Sequence, residues 1–158
     1  FILRLFPKAR FIVALRDPAD CVFSGFMQQF ENNPAMYRLA TLDSGARFYA
    51  QVMALFQQYR DVFELESQLH FVYYEQLVTD WQEVMTGVFQ FLDKEWHDNV
   101  SDFQRHAMAR GTLATPSYQD VVRPLTSRAA GRWRKYQQQI GEAFAPLAPY
   151  RKLWGYQE

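Results

Sequence analysis

The sequence is poor in cysteine, contains no long apolar run and carries no net charge, and each of these features excludes a class of protein. Among its 158 residues Cys21 is the one cysteine, which excludes an internal disulfide and a zinc site built from several cysteines. No run of about 18 apolar residues occurs, so we predict no membrane span. The 17 basic and 17 acidic residues cancel. The whole chain therefore has no polyanion-binding character, and any anion site must be built locally.

Other absences bear on metal binding, on the cellular compartment and on how much of a domain the chain contains. His70, His97 and His106 share no metal-ligand spacing, so we predict no metal site. A single cysteine fits a reducing compartment, and we expect a cytoplasmic protein. The chain opens on Phe1 and enters a strand-like segment almost at once, which predicts that an element before it is missing. Aromatic residues are abundant, at 17%, and predict a folded core rather than disorder.

Hydrophobic periodicity predicts alternating strands and helices. Phe11 to Leu15 is a continuous apolar run, typical of a strand buried on both faces. Asp17-Pro18 predicts the start of a helix of about a dozen residues. A second helix is predicted from about Gly45 to Phe63, a second strand from Leu69 to Tyr74, and a third helix over 81–92. This order predicts an α/β fold with parallel strands joined by helical crossovers.

The end of the first strand carries a candidate anion site. Arg16 follows the strand, where ligands bind in parallel sheets, and the next helix begins immediately. Free N–H groups and the helix dipole favour an anion there. Ser24, about two turns into that helix, can donate a hydroxyl to the same anion. The alternative is that Arg16 is a solvated charge and Ser24 a hydroxyl on the helix surface.

A second candidate region runs from Thr115 to Tyr136 and overlaps residues 107–131, which are predicted to form a long ordered loop. Between Asp120 and Glu142 there are five cations and no acid. These cations are Arg123, Arg128, Arg132, Arg134 and Lys135. Arginine side chains bind phosphate with two hydrogen bonds at once. Nucleic acid is the general competitor for such a patch, but the Pro and Trp content favours a folded lid, and we expect no nucleic-acid partner.

Together these segments resemble the family of sulfotransferases that use 3′-phosphoadenosine-5′-phosphosulfate (PAPS), in the branch of protein-tyrosine sulfotransferases and bacterial sulfotransferases with tetratricopeptide repeats. Arg16 to Ser24 is similar to the family's 3′-phosphate-binding element. Tyr74-Glu75-Gln76-Leu77 is similar to its Tyr-Glu-x-Leu segment, whose first Tyr lies at the nucleotide. The stretch from Ser117 through Arg123-Pro124-Leu125 to Arg132-Trp133 looks like its closing loop.

The resemblance implies a P-loop-like parallel sheet flanked by helices, here incomplete, because the N-terminal strand and the phosphosulfate-binding loop have no counterpart. Residues 1–158 would be the carboxy-terminal part of a single sulfotransferase domain. We therefore expect the isolated chain to be poorly stable and inactive.

The function implied is transfer of a sulfuryl group from PAPS to an acceptor hydroxyl, leaving adenosine 3′,5′-bisphosphate (PAP), without a metal. The acceptor, whether peptide tyrosine, sugar or small molecule, is open, and so is a homodimer. Ser117 is the predicted transition-state stabiliser. The residues predicted to bind PAPS are Arg16, Ser24, Tyr74, Ser117, Arg123, Thr126 and Arg132. Gln28 stands where tyrosine sulfotransferases carry a further Arg, which weakens a prediction of tyrosine specificity.

Two alternatives share the architecture. One is a non-catalytic nucleotide-binding or interaction domain derived from the same fold. The other is a relative of the P-loop kinases. Upstream sequence distinguishes them, since a phosphosulfate loop with an acidic or histidine base indicates the sulfotransferase, and Gly-Lys-Ser/Thr with a magnesium-binding acid indicates the kinase.

Overall fold

The computed structural model describes residues 1–28, 33–97, 100 and 127–156. In chain order its helices and strands are α1 Ile2–Leu5, β1 Phe11–Leu15, α2 Pro18–Met27, α3 Leu42–Val62, β2 Leu69–Tyr73, α4 Tyr74–Thr79, α5 Trp81–Phe91, α6 Gln137–Ile140 and α7 Ala148–Leu153. Short 3-10 segments lie at Met36–Leu39, Leu65–Gln68, Ser127–Ala129, Arg132–Tyr136 and Gly141–Leu147. The chain divides into two compact units, Phe1–Tyr74 with Arg128–Glu158, and Glu75–Ser127.

The sheet of the first unit is formed by β1 and β2, which pair in parallel. Leu15 lies opposite Tyr73, so both strands end at the same edge. Helices α2 and α3 occupy the connection between them, as a parallel pair requires. The predicted α/β order and the parallel pairing are confirmed, and the predicted strand positions agree with the structure to within one residue.

The prediction that β1 is buried on both faces is wrong for the part of the chain that the structure describes. Ile12 is 46% exposed, and Ala14 beside it on the same face is exposed as well. On the other face of the sheet, Phe71 of β2 packs against Phe56 and Trp154, with ring centroids 6.3 and 5.4 Å away. A run of apolar residues shows that its side chains favour burial. Other elements must pack against each face of the strand to bury them.

Helix α2 begins as its sequence predicts. Asp17 is the N-cap, and its carboxylate accepts a hydrogen bond from the Ala19 backbone N–H at 2.9 Å. Pro18 occupies the first helical position, where its missing N–H costs nothing. The apolar side of the helix forms the core of this unit. The buried residues of that core are Ala19, Val22, Phe23, Ala46, Trp133, Ile140 and Leu147.

The second unit contains helix α5, whose apolar side packs locally. Val88 is buried, and the rings of Trp81 and Phe89 lie 5.9 and 5.4 Å from that of Trp96. Asp80 occupies the N-cap position but its side chain makes no capping hydrogen bond. The amphipathic pattern identified this helix correctly. Because it has no side-chain cap, the packing of its aromatic residues stabilises it instead.

None of the helices within the described ranges has the length and apolar character needed to cross a membrane.

Candidate functional site

Arg16 and Tyr74 lie side by side at the carboxyl edge of the sheet. Arg16 directly follows β1 and Tyr74 directly follows β2, and the register of the two strands places both positions at one edge. The Arg16 guanidinium carbon lies 4.9 Å from the centroid of the Tyr74 ring. This is the distance of a cation–π contact.

The remaining contacts of Arg16 fix one side of its guanidinium group. Nη2 donates a hydrogen bond to the carbonyl oxygen of Ala129 and lies 3.9 Å from Oδ2 of Asp20. The side chain is 21% exposed. Nε is buried, and within the described ranges it has no hydrogen-bond partner. A buried donor of this kind calls for an explanation, since most buried polar groups are paired.

Asp20 links this arginine to the C-terminal part of the chain. It lies in the first turn of α2 and is 1% exposed. Its Oδ1 accepts a hydrogen bond from the Trp133 backbone N–H at 3.1 Å, and its Oδ2 accepts one from the Gly131 N–H. Burial raises the pKa of the Asp20 carboxyl, although these two hydrogen bonds and Arg16 act in the opposite direction.

Asp17 makes a second set of contacts with the same region. Its Oδ2 accepts a hydrogen bond from the indole Nε1 of Trp133 at 3.2 Å. Its Oδ1 lies 3.2 Å from Nε of Arg151 on α7, in a largely buried ion pair. The Arg151 guanidinium also lies over the Trp133 ring, 4.8 Å from its centroid. The two acids at the start of α2 therefore hold residues 129–133, which we call the 129–133 segment.

The structure describes four of the predicted site residues. It brings Arg16 and Tyr74 into contact. Arg132 is exposed and lies between the two residues whose backbone N–H groups bind Asp20. Ser24 is half-buried one turn beyond Asp20 on the same face of α2. Among the described residues no hydrogen bond joins Ser24 to Arg16, so their joint grip on one phosphate stays a prediction.

Three further predicted residues, Ser117, Arg123 and Thr126, lie outside the described residues. Their assigned roles also stay predictions.

Asp20 and Arg151, which help to organise this site, were not among the residues predicted from the sequence, and Trp133 was named only as part of the stretch that resembles the closing loop. One signal was present: residues 121–141 contain five cations and no acid, and such a segment needs acidic partners from elsewhere. The acids of the first turn of α2 are candidates on this ground. However, Asp20 contacts backbone N–H groups of that segment, and no side-chain pattern identifies a backbone donor.

Within the described ranges no group of three or more His, Cys, Asp or Glu side chains is arranged to hold a metal ion.

Comparison with known proteins identifies the family of the chain. The model of the sulfotransferase family matches residues 1–98, and the chain belongs to this family. A protein-tyrosine sulfotransferase of Drosophila melanogaster is 24% identical over 164 aligned residues, covering 99% of this chain and 32% of that protein. An uncharacterised protein of Aquifex aeolicus is 21% identical over 143 residues, covering 88% of this chain and 18% of that protein.

The chain thus spans a third or less of the length of these two relatives. The family predicted from the residues around Arg16, Tyr74 and Arg132 is confirmed.

Proposed function

We propose that this chain forms the 3′-phosphate and adenine side of the donor site of a PAPS-dependent sulfotransferase. The observation that carries the proposal is the position of Arg16. It lies at the carboxyl end of a parallel strand, with its guanidinium carbon over the Tyr74 ring. Arginine binds phosphate with several donors at once. Because the Arg16 side chain keeps 21% of its surface exposed, we infer that a 3′-phosphate can reach its guanidinium group.

The surroundings of Arg16 suit this role. Ligands of open parallel sheets bind beyond the carboxyl ends of the strands, where the next helix begins. Here that helix is α2, whose N-terminal dipole favours negative charge. Cys21 and Ser24 follow within the same helix, and we assign the Ser24 hydroxyl as a second donor to the 3′-phosphate. We place Tyr74 beside the adenine, as the family resemblance implies.

Sulfuryl transfer resembles phosphoryl transfer, in which the group passes in line between two oxygens and the protein positions it and stabilises charge. The acceptor oxygen forms a bond to the sulfur of PAPS as the bond from sulfur to the PAP oxygen breaks, and a base takes the proton of the acceptor hydroxyl. In our proposal the Ser117 hydroxyl stabilises charge on the leaving oxygen. Arg123, Thr126 and Arg132 close over the nucleotide, and no metal takes part.

The acceptor in this proposal is a hydroxyl group. The relative from Drosophila melanogaster is described as a protein-tyrosine sulfotransferase, which makes peptide tyrosine one candidate beside sugars and small molecules. Gln28 is neutral where tyrosine sulfotransferases carry an Arg. We therefore propose a hydroxyl group as the acceptor and do not propose tyrosine in particular.

We also propose that both compact units belong to one P-loop-like sulfotransferase domain. The alignment with the protein-tyrosine sulfotransferase runs through 99% of this chain and so includes both units. We retain the cytoplasm as the expected compartment on the cysteine content alone.

One observation favours the competing hypothesis of a non-catalytic domain. Nη2 of Arg16 already contacts the Ala129 carbonyl and Asp20, so Arg16 can act as a structural link without any nucleotide. The two hypotheses differ in what happens when PAP is offered. A site for the 3′-phosphate prefers PAP to AMP, which lacks that group, whereas an interaction domain in which Arg16 is only a structural link shows no such preference.

The test is isothermal calorimetry of the full-length protein with PAP and with AMP. We expect PAP to bind more tightly than AMP. Arg16→Ala should weaken PAP binding by about 1.5–3 kcal/mol, the range of hydrogen bonds to charged groups, and should leave AMP binding nearly unchanged.

Arg47→Ala is the matched control, because Arg47 is an exposed arginine of α3 paired with Asp43 at 2.9 Å. Arg16→Lys keeps the charge and replaces Arg16→Ala in the test if that variant does not fold. It should lose part of the preference for PAP over AMP, since Lys lacks the planar guanidinium group. Equal affinity of the unmodified protein for PAP and AMP would refute the proposed function.

A further inference from the structure

We infer that Asp20 is a positioning residue of the proposed donor site. Its carboxylate holds the 129–133 segment against the start of α2, and the Ala129 carbonyl of that segment in turn fixes the guanidinium group of Arg16. This inference rests on the proposed function and adds to it a residue that does not itself touch the nucleotide.

The geometry forms a closed ring of polar contacts. Asp20 accepts hydrogen bonds from Gly131 and Trp133, and the Ala129 carbonyl of the same segment accepts one from Nη2 of Arg16. The ring closes where Nη2 lies 3.9 Å from Asp20 Oδ2. Any displacement of the 129–133 segment therefore removes the acceptor that orients Arg16.

The backbone of the 129–133 segment is shaped for this carboxylate. Gly131 has a φ of +68°, in the left-handed region that favours glycine. Consequently the N–H groups of residues 131 and 133 converge on one anionic side chain. Backbone N–H groups that follow a left-handed turn form such anion-binding concavities, called nests. Here the anion is a side chain of the protein itself.

Stability alone is a weak reason for this arrangement. A carboxylate that is 1% exposed is costly to bury, and apolar residues of similar volume often stabilise a fold as well as a buried ion pair does. An apolar side chain at this position would neither hold the 129–133 segment nor face Arg16. A carboxylate at this position both accepts the two backbone hydrogen bonds and faces Arg16, and its contact with Arg16 is the one that bears on the proposed donor site.

Asp20→Asn in the full-length protein tests the inference. The amide has nearly the same shape but no charge, and its NH2 group would face one of the two backbone N–H donors, so the 129–133 segment loses a hydrogen bond. We expect the preference for PAP over AMP to fall about tenfold, because charged hydrogen bonds orient the arginine. Amide hydrogen exchange at residues 131 and 133 should become faster.

Asp43→Asn is the matched control. Asp43 is an exposed acid near the start of α3, whose partner Arg47 lies on the same helix, and its loss should change neither the preference nor the exchange. If Asp20→Asn does not fold, Asp20→Glu serves instead. The longer side chain keeps the charge but displaces the 129–133 segment, and it should also lower the preference for PAP.

The outcomes separate this inference from the proposed function. If the unmodified protein does not prefer PAP to AMP, the proposed function fails and the inference with it. If it does prefer PAP, and Arg16→Ala abolishes that preference but Asp20→Asn and Asp20→Glu keep it, the inference alone is overturned. Loss of the preference with unchanged exchange at residues 131 and 133 would also overturn it, since the 129–133 segment would still be held.

Discussion

The start of α2 and the outward side of α3 differ in a way that hydropathy does not predict. At the start of α2, Asp17 and Asp20 are buried. On α3 and just beyond its end, Val62 and Phe63 are 66% and 57% exposed. Charged groups therefore lie inside and apolar groups outside, within the same compact unit. Partners therefore decide burial, because each acid has hydrogen-bond donors beside it, whereas Val62 and Phe63 have too few neighbours within the described ranges to cover them.

Helix α3 is apolar on two sides. One side packs against α2 and the Gly141–Leu147 segment, with Ala46 in the core. The other side presents an exposed stripe at helical spacing, formed by Val52, Leu55, Tyr59 and Val62. A cleft at the end of this stripe is lined by apolar residues from α1, β1 and the end of α3. Substitutions in this stripe should therefore cost little stability.

The largest effect that tests this comparison is expected for Trp133→Ala. Trp133 is buried in the core, its indole N–H binds Asp17, and its ring lies 6.3 Å from that of Phe144. We expect the free energy of unfolding to fall by about 3–5 kcal/mol, as for other buried aromatic residues. Urea denaturation of the full-length protein measures it.

Phe63→Ala is the matched control, since Phe63 is a large aromatic residue on the open side. It should cost less than about 1 kcal/mol, because little buried contact is removed. Similar losses in the free energy of unfolding for the two variants would contradict the difference in burial between the two regions.

An intermediate effect is expected for Gly131→Ala. The φ of +68° at this position is strained for any residue with a Cβ, and the left-handed conformation costs roughly 1–2 kcal/mol. The added Cβ would meet only the Arg134 side chain, at 3.7 Å or more, so the cost is conformational rather than steric. Thermal denaturation measures the loss. Gly131→Asn should cost less, because Asn adopts this conformation more readily, and the opposite order of the two variants would refute the explanation.

The smallest effect is expected for Val62→Ser on the open stripe of α3. Surface substitutions away from special features change stability by about 0.5 kcal/mol or less, and urea denaturation should show a change of this size. A loss above about 2 kcal/mol in the full-length protein would contradict the exposure of this side and would show that it is covered there.

Much of the frame followed from local sequence patterns. The apolar run of β1, the Asp17-Pro18 helix start and the period of α3 each depend on neighbouring residues, and the predicted positions of these three elements agree with the structure. The predicted burial of β1 on both faces does not. Arg16 at the end of its strand was identified in the same way. The resemblance to the family added Tyr74, and the pairing of β1 with β2 explains why the two side chains meet.

Local sequence patterns were enough to predict the two strands, the three longest described helices, their order and a cation at the end of the first strand, because these features depend on residues a few positions apart. The family followed from the resemblance of several separate segments. Only the tertiary structure decided which groups surround that cation. Asp20 meets residues 131 and 133 across more than a hundred positions of chain, through backbone N–H groups that every residue type except proline carries. The tertiary structure also decided that Ile12 and the outer stripe of α3 are exposed, since the residues that bury a side chain come from distant parts of a chain.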